Sequence, residues 1–171
     1  MIKASGLSKR FGARAAVEGI SFEIPRGQIV GFLGPNGAGK TTTMRLLTGL
    51  LRPDSGAAEL AGLDPQTQRV ALMSKVGYLP EDNPLYEELE ALDSLAHAAH
   101  IRGVAAARIE PRLRELVKRC GLQDAVGKKV SELSKGYRQR LGLAQAILHE
   151  PELLILDEPS AGLDPNQVLE L

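Results

Sequence analysis

The pattern of apolar and polar residues predicts short strands in the first part of the chain. The first three predicted strands are at about 2–7, 15–24 and 28–33, and a helix over 40–51 follows them. After this helix the pattern predicts a strand at 57–60, a short helix near 66–73 and a strand at 76–79. The turn residues of "PRG" at 25–27 and "RPDSG" at 52–56 separate these segments.

The pattern changes to helical spacing in the middle of the chain. Residues 87–121 are predicted to be helical with a break near Gly103, and a further helix is predicted from Ser134 to about His149. Four apolar residues, Leu153–Leu156, then predict a strand that is buried on both faces of a parallel sheet. This alternation predicts an α/β protein with a helical insertion at about 87–150.

Composition excludes several classes of protein. The 171 residues fit one domain, and 43% hydrophobic and 25% charged residues are ordinary for a globular chain. The formal net charge is zero, so nothing favours nucleic acid or an anionic membrane surface as a partner. No segment has the roughly 18 apolar residues of a membrane span, so we expect a soluble, intracellular chain whose link to a membrane comes through a partner.

One cysteine excludes an internal disulfide. Cys120 is predicted to be a small buried residue, with a reactive thiol as the alternative.

The segment "GPNGAGKT", Gly34–Thr41, has the spacing of a phosphate-binding loop, or P-loop, between a predicted strand and a predicted helix. Its glycines let successive backbone N–H groups point into one concavity, and the helix adds the positive end of its dipole. Lys40 would reach the β- and γ-phosphates of a nucleotide, and the Thr41 hydroxyl would ligate Mg²⁺. The alternative is a glycine-rich turn without a ligand.

Two acidic residues follow the apolar strand 153–156. Asp157 stands at its carboxyl end, where open α/β sheets bind their ligands, and would hold Mg²⁺ through water. Glu158 would accept a proton from the attacking water or orient that water. An isolated "LDE" is as readily a solvated strand end, so this assignment depends on the P-loop upstream.

The segment "LSKGYRQRLGLAQAILHEP", 133–151, lies just before this strand. Ser134 is a good N-cap for the helix that follows, and a serine hydroxyl beside a glycine N–H at a helix N-terminus can receive an anion. The segment resembles the signature of ATP-binding-cassette (ABC) ATPases. The resemblance implies that Ser134, Lys135 and Gly136 bind the ATP held by the P-loop of a second ATP-binding subunit, identical or different.

Other segments resemble cassette motifs in the same order. Phe11 looks like the aromatic residue that stacks on adenine, although alone it is more readily a core residue. "GYLPEDNPLY", 77–86, lies where the family has its Q-loop, and "SAGLD", 160–164, is similar to the D-loop. The resemblance implies a P-loop fold with a mostly parallel core sheet, a small N-terminal antiparallel β subdomain and the inserted helical subdomain. The ATP-binding residues it implies are Phe11, Gly34, Pro35, Asn36, Gly37, Ala38, Gly39, Lys40, Thr41 and Thr42.

The chain departs from the usual motifs in several places. Lys135 and Tyr137 replace the Gly and Gln of the common signature, and Glu81 stands at the usual Q-loop glutamine, where it would still ligate Mg²⁺. The family's switch histidine follows the D-loop by a helix and a strand, so we expect a C-terminally incomplete cassette. His97 and His100 are three apart on a predicted helix, but without a supporting Cys or carboxylate cluster we expect a solvated face.

The resemblance implies the ATP-hydrolysing subunit of a bacterial export-type ABC transporter. Mg²⁺ would be its cofactor, transmembrane permease subunits its partners, and the inner face of the cell membrane its peripheral, cytoplasmic location. One alternative is a module that binds ATP but barely hydrolyses it, because the switch histidine is missing. Another is a soluble ABC ATPase of translation or repair without a membrane partner.

Overall fold

A computed structural model describes residues 1–160 and shows five strands and five α-helices in that part of the chain. The elements are β1 (Ile2–Phe11), β2 (Arg14–Ile24), α1 (Lys40–Leu47), β3 (Ser55–Leu60), α2 (Arg69–Met73), β4 (Val76–Leu79), α3 (Ala91–Ile101), α4 (Ala106–Arg119), α5 (Lys135–Ile147) and β5 (Leu153–Leu156). Short 3₁₀ turns occupy Gln123–Ala125 and Val130–Glu132. The chain divides into two compact units, Met1–Val76 and a second unit that begins at Gly77.

The first unit is built on an antiparallel sheet with the strand order β2-β1-β3. Ile2 pairs with Ile24 on one side and with Leu60 on the other, so β1 is the central strand. Ile2 and Ala4 of β1 are buried and alternate with exposed residues, and Leu7 is buried after a register shift in the strand. Helix α1 contacts β2 and β3, and buries Leu46 and Leu47.

The segment 28–33, predicted as a strand, belongs to none of the strands in the described part of the chain. Its apolar side chains are exposed, with Ile29 and Leu33 almost fully so. Phe32 contacts the ring of Phe22, with 6.1 Å between the centroids. The prediction was wrong because apolarity identifies a segment that can join a sheet, whereas a strand also needs a neighbour for its backbone hydrogen bonds.

The second unit contains helices α3 to α5 and the two-stranded parallel sheet of β4 and β5. Its apolar core is formed by one face of each helix; examples from the three helices are Leu95, Leu116 and Leu141, all 1% exposed or less. Strands β4 and β5 have the predicted bounds. The prediction that β5 is buried on both faces was wrong: Ile155 is buried, but Leu154, which alternates with it, is 40% exposed. An apolar run does not determine how far other elements cover each face of a strand. Cys120 belongs to this core, and burial raises the pKa of its thiol, in agreement with the predicted apolar role.

The α/β class and the N-terminal antiparallel sheet are confirmed. Some bounds differ from the predicted ones: β1 extends to Phe11 instead of residue 7, and α1 stops at Leu47 instead of residue 51. The predicted break near Gly103 separates α3 from α4. Helices α3 to α5 fall inside the range 87–150, while its status as an inserted subdomain stays a prediction. No helix within residues 1–160 is long and apolar enough to cross a membrane.

Arg112 joins α4 to the C-terminal end of α5. Its side chain is about 90% buried, and it donates from Nε to the carbonyl of Leu148 (3.0 Å) and from Nη2 to that of Ile147 (2.6 Å). The final carbonyls of a helix have no partner within that helix, so this guanidinium caps α5. Its charge is balanced by Glu115, 2.7 Å from Nη1, and this contact lowers the pKa of Glu115.

We expect Arg112→Met to lower the free energy of unfolding by about 2–3 kcal/mol, because two carbonyls at the end of α5 lose their donor. Arg114→Met is the matched control on the same helix. Arg114 is exposed and contacts only Glu110 among described residues, so its loss should cost less than about 0.5 kcal/mol. Urea unfolding of both variants measures the difference, and equal losses would show that Arg112 is no more than a surface charge.

Candidate nucleotide-binding site

The P-loop lies in the first unit, between the exposed segment 28–33 and α1. Its residues 34–38 are exposed, and the N–H of Ala38 donates to the carbonyl of Pro35 (3.2 Å). Helix α1 begins at Lys40, with Gly39 as its N-cap. An exposed loop of main-chain groups therefore leads directly into a helix N-terminus, which is the arrangement that binds phosphate.

Gly39 must be glycine in this structure for two reasons. Its φ of 88° lies in the left-handed region, where other residues are strained. A Cβ atom at this position would also lie 2.2 Å from the carbonyl oxygen of Ala16 in β2. The loop backbone thus rests directly on the sheet.

Lys40 folds back over the loop. Its Nζ donates to the carbonyls of Gly34 (2.9 Å) and Pro35 (3.2 Å), so the ammonium group is held against the first two residues of the loop. The first turn of α1 is reinforced by Thr43, whose N–H and hydroxyl both donate to the carbonyl of Gly39 (2.8 and 2.9 Å). Thr41 and Thr42 are half-buried in that turn.

Phe11 ends β1, and its side chain is 53% exposed. It pairs in register with Arg14, the first residue of β2, across the tight β1–β2 hairpin. An exposed aromatic ring at a hairpin end can stack on a planar ligand, whereas the core role considered as its alternative does not fit this exposure.

The acidic pair lies in the second unit, directly after β5. Asp157 is 1% exposed, and its N–H donates to the carbonyl of Leu79 in β4 (2.9 Å), so the end of the parallel sheet fixes it. Glu158 is exposed and has a φ of 50°. Left-handed backbone at a residue other than glycine costs about 1–3 kcal/mol and is concentrated at functional sites.

Gln139 of α5 supports this strained turn. Its side-chain amide donates to the carbonyls of Pro159 (3.1 Å) and Glu158 (3.4 Å), and the residue is 4% exposed. Sequence reasoning missed this contact. The available signal was a polar residue among the core positions of α5, because a buried amide needs a partner.

The predicted N-cap of α5 is confirmed. Ser134 accepts a hydrogen bond from the N–H of Tyr137 (3.3 Å), Ser134 and Lys135 are exposed, and Gly136 is buried. The guanidinium of Arg138 holds the preceding turn by donating to the carbonyls of Leu133 (3.2 Å) and Ser131 (2.9 Å).

The predicted Q-loop residue Glu81 is exposed in the turn that follows β4. Two residues further on, the Asn83 amide donates to the carbonyl of Arg138 (2.7 Å) and lies over Gly142, so this loop packs on α5. Of the predicted D-loop, residues 161–164 lie outside the described part of the chain.

Within residues 1–160, no group of three or more His, Cys, Asp or Glu side chains could hold a metal ion. The ring of His97 packs edge-on against Tyr86, and His100 donates from Nδ1 to the carbonyl of Ala96 (2.7 Å). The P-loop stands in the first unit, while the acidic pair, Ser134 and Glu81 stand in the second.

Comparison with known proteins gives consistent matches. The family model described as "ABC transporter" matches residues 17–161. An uncharacterised ABC transporter ATP-binding protein of Bacillus subtilis, YdbJ, is 44% identical over 94% of this chain and 51% of its own length. The bacitracin transport ATP-binding protein BcrA of Bacillus licheniformis is 40% identical over the whole chain and 55% of its own length.

Among solved structures, an ATP-binding subunit of an ABC transporter superposes with a TM-score of 0.88 and 34% identity, covering 99% of this chain and 70% of that one. The chain spans about half the length of the curated relatives it matches. The matched residues include the P-loop, the signature segment and the acidic pair, in the order that the sequence predicted. The chain therefore belongs to the ABC transporter ATP-binding family.

Proposed function

We propose that this chain binds ATP with Mg²⁺ and hydrolyses it, as the subunit that powers transport through membrane partner subunits. The observation that carries the proposal is the P-loop, in which an exposed arc of main chain ends at the N-terminus of α1 beneath the ammonium group of Lys40. Family membership supports the same chemistry.

Phosphate binding follows from the charges at the loop. The N-terminus of α1 carries partial positive charge, and the loop residues Gly34–Thr41 are proposed to direct N–H groups toward the polyphosphate. Lys40 is bonded to two neutral carbonyls, and a phosphate oxygen would replace them because charge-assisted hydrogen bonds are about twice as strong. Thr42 would add a donor from the first turn, and the exposed ring of Phe11 would stack on the base.

Oxygen donors of this chain are proposed to hold Mg²⁺. The Thr41 hydroxyl and the buried Asp157 carboxylate are hard oxygen donors, and Glu81, in the turn after β4, would add a second carboxylate. When bound, the ion would neutralise charge on the β- and γ-phosphates.

Glu158 is proposed to accept the proton of the attacking water. Its exposed carboxylate projects from a strained turn that Gln139 holds through two main-chain carbonyls. A base that is already ordered loses less conformational entropy on reaching the transition state than a base that must first be ordered. Gln139 is therefore a positioning residue for Glu158.

The exposed N-terminus of α5 is proposed to receive the γ-phosphate bound by a second ATP-binding subunit. Ser134 offers its hydroxyl and Lys135 its charge, while the helix contributes its dipole. Two such chains would close around two nucleotides, and closure would act on permease subunits at the cytoplasmic face of the membrane. The name of BcrA, a bacitracin transport ATP-binding protein, supports a role in transport.

We expect Glu158→Gln to lower ATP turnover by about 100-fold or more while ATP affinity is retained, because only the proton acceptor is lost. Glu152→Gln is the matched control, since it removes the same charge before the other end of β5 and should change turnover by less than about twofold. Titration calorimetry with Mg-ATP and a phosphate-release assay on the same sample measure both quantities.

Two results of that experiment would contradict the proposal. Equal turnover in the wild-type protein and Glu158→Gln would remove the assigned role of Glu158. Absence of any binding heat with Mg-ATP in folded protein would remove the nucleotide site itself. Tight binding without phosphate release in the wild type would favour the alternative of an ATP-binding module.

We expect Gln139→Leu to lower the turnover number by about tenfold or more with little change in ATP affinity, because the turn that carries Glu158 loses both donors. Gln145→Leu is the control on the same helix. Gln145 donates to Ser94 in α3 and not to the turn that carries Glu158, so turnover should fall by less than about twofold.

The double variant Gln139→Leu/Glu158→Gln tests whether Gln139 acts through Glu158. If it does, adding Gln139→Leu to Glu158→Gln causes no further loss of turnover. Losses that multiply would show that Gln139 has an independent effect.

A further inference from the structure

The guanidinium of Arg14 lies against the P-loop. A Cβ atom placed on Gly37 would lie 3.2 Å from Nη2 of Arg14, so the space beside this glycine is filled by the arginine. Gly37 has a φ of 80° and is exposed, as are its neighbours in the loop. Arg14 therefore places a second cation beside the loop, at a different residue from those that hold Lys40.

The side chain of Arg14 forms no ion pair or hydrogen bond within residues 1–160. Arg10, on the same hairpin, differs in this respect. Its Nη2 donates to the carbonyl of Ala13 (2.8 Å), and its backbone N–H donates to Asp54 (2.8 Å). A guanidinium beside a P-loop with all its donors available is suited to a phosphate group, which it binds through two parallel N–H groups.

The register of the hairpin places an aromatic ring beside this cation. Phe11 and Arg14 are directly opposite each other, and opposed residues of an antiparallel pair project from the same face of the sheet. Phe11 is the proposed base-stacking residue, and Gly37 belongs to the proposed polyphosphate loop. Arg14 is therefore next to both the proposed base-stacking residue and the proposed polyphosphate loop.

We propose that Arg14 binds the phosphate chain of the nucleotide where it passes from the base to the P-loop. The proposal rests on the proposed ATP site and adds a phosphate-binding residue outside the P-loop. On this basis Lys40 and Arg14 bind the phosphate chain from different residues of the loop, Lys40 beside Gly34 and Pro35 and Arg14 beside Gly37. The affinity for the nucleotide then depends in part on the β1–β2 hairpin that carries Arg14.

The test is titration calorimetry of the whole chain with Mg-ATP and with inorganic tripolyphosphate, which has the phosphate chain without the base. Arg14→Gln should weaken the binding of both by about tenfold or more, because a charge-assisted contact to phosphate is lost. Arg10→Gln is the matched control, since it removes the same charge from the same hairpin, and should change either affinity by less than about twofold. Arg14→Lys keeps the charge without the planar fork and should restore part of the loss.

The outcomes separate the two proposals. If the wild-type protein binds neither probe, the proposed function fails and this inference fails with it. If the wild type binds and Arg14→Gln binds equally well, or weakens no more than Arg10→Gln, only the assignment of Arg14 is overturned. A loss seen with Mg-ATP but not with tripolyphosphate would place Arg14 at the base and would also reject phosphate contact.

Thermal unfolding without ligand provides the remaining control. A phosphate-binding role predicts that Arg14→Gln unfolds within about a degree or two of the wild-type protein, because the side chain is exposed and unpaired among described residues. A large loss of stability in the absence of ligand, with affinity restored at lower temperature, would instead make Arg14 a structural support of the loop.

Discussion

The close approach of the P-loop backbone to strand β2 is the constraint on which the first unit depends. Gly39 lies so near the carbonyl of Ala16 that no side chain fits between them. This contact fixes where α1 begins, and hence where its dipole and Lys40 are directed. The sheet and the loop therefore form one support, with the antiparallel strands acting as the base against which the phosphate-binding main chain is held.

In the second unit, helix α5 is the element to which the segments of the candidate site are hydrogen-bonded. Ser134 caps its N-terminus, and Gln139 in its interior holds the turn that carries Glu158. Arg112 caps its C-terminal carbonyls from α4, and Asn83 contacts it from the loop after β4. A displacement of α5 would therefore reach the acidic turn and the Q-loop segment together, because each is hydrogen-bonded to the same helix.

The sequence was sufficient wherever the chemistry is local. A P-loop, an N-cap and a four-residue apolar strand each depend on neighbouring residues, and the structure has Lys40 at the start of α1, Ser134 as the N-cap of α5, and β5 at its predicted bounds. The segment 28–33 shows the limit of such reasoning. Its apolar residues predicted a strand, but pairing depends on distant backbone, and no described strand pairs with it. The contacts of Gln139 and Arg14 were missed for the same reason, since they join residues 20 and 23 positions apart.

Glu150 and Glu158 both have left-handed backbone, a conformation that is strained for residues other than glycine. A glycine would adopt a φ of 50° or 55° without cost, yet Glu158 and Glu150 occupy these positions. Glu150 has a structural use for its carboxylate, which accepts from Arg108 at 2.9 Å at the end of α5. For Glu158, the hydrogen bonds from Gln139 reach main-chain carbonyls of its turn, and the carboxylate is exposed. This geometry supports the proposed role of Glu158, in which the carboxylate itself accepts the proton of the attacking water.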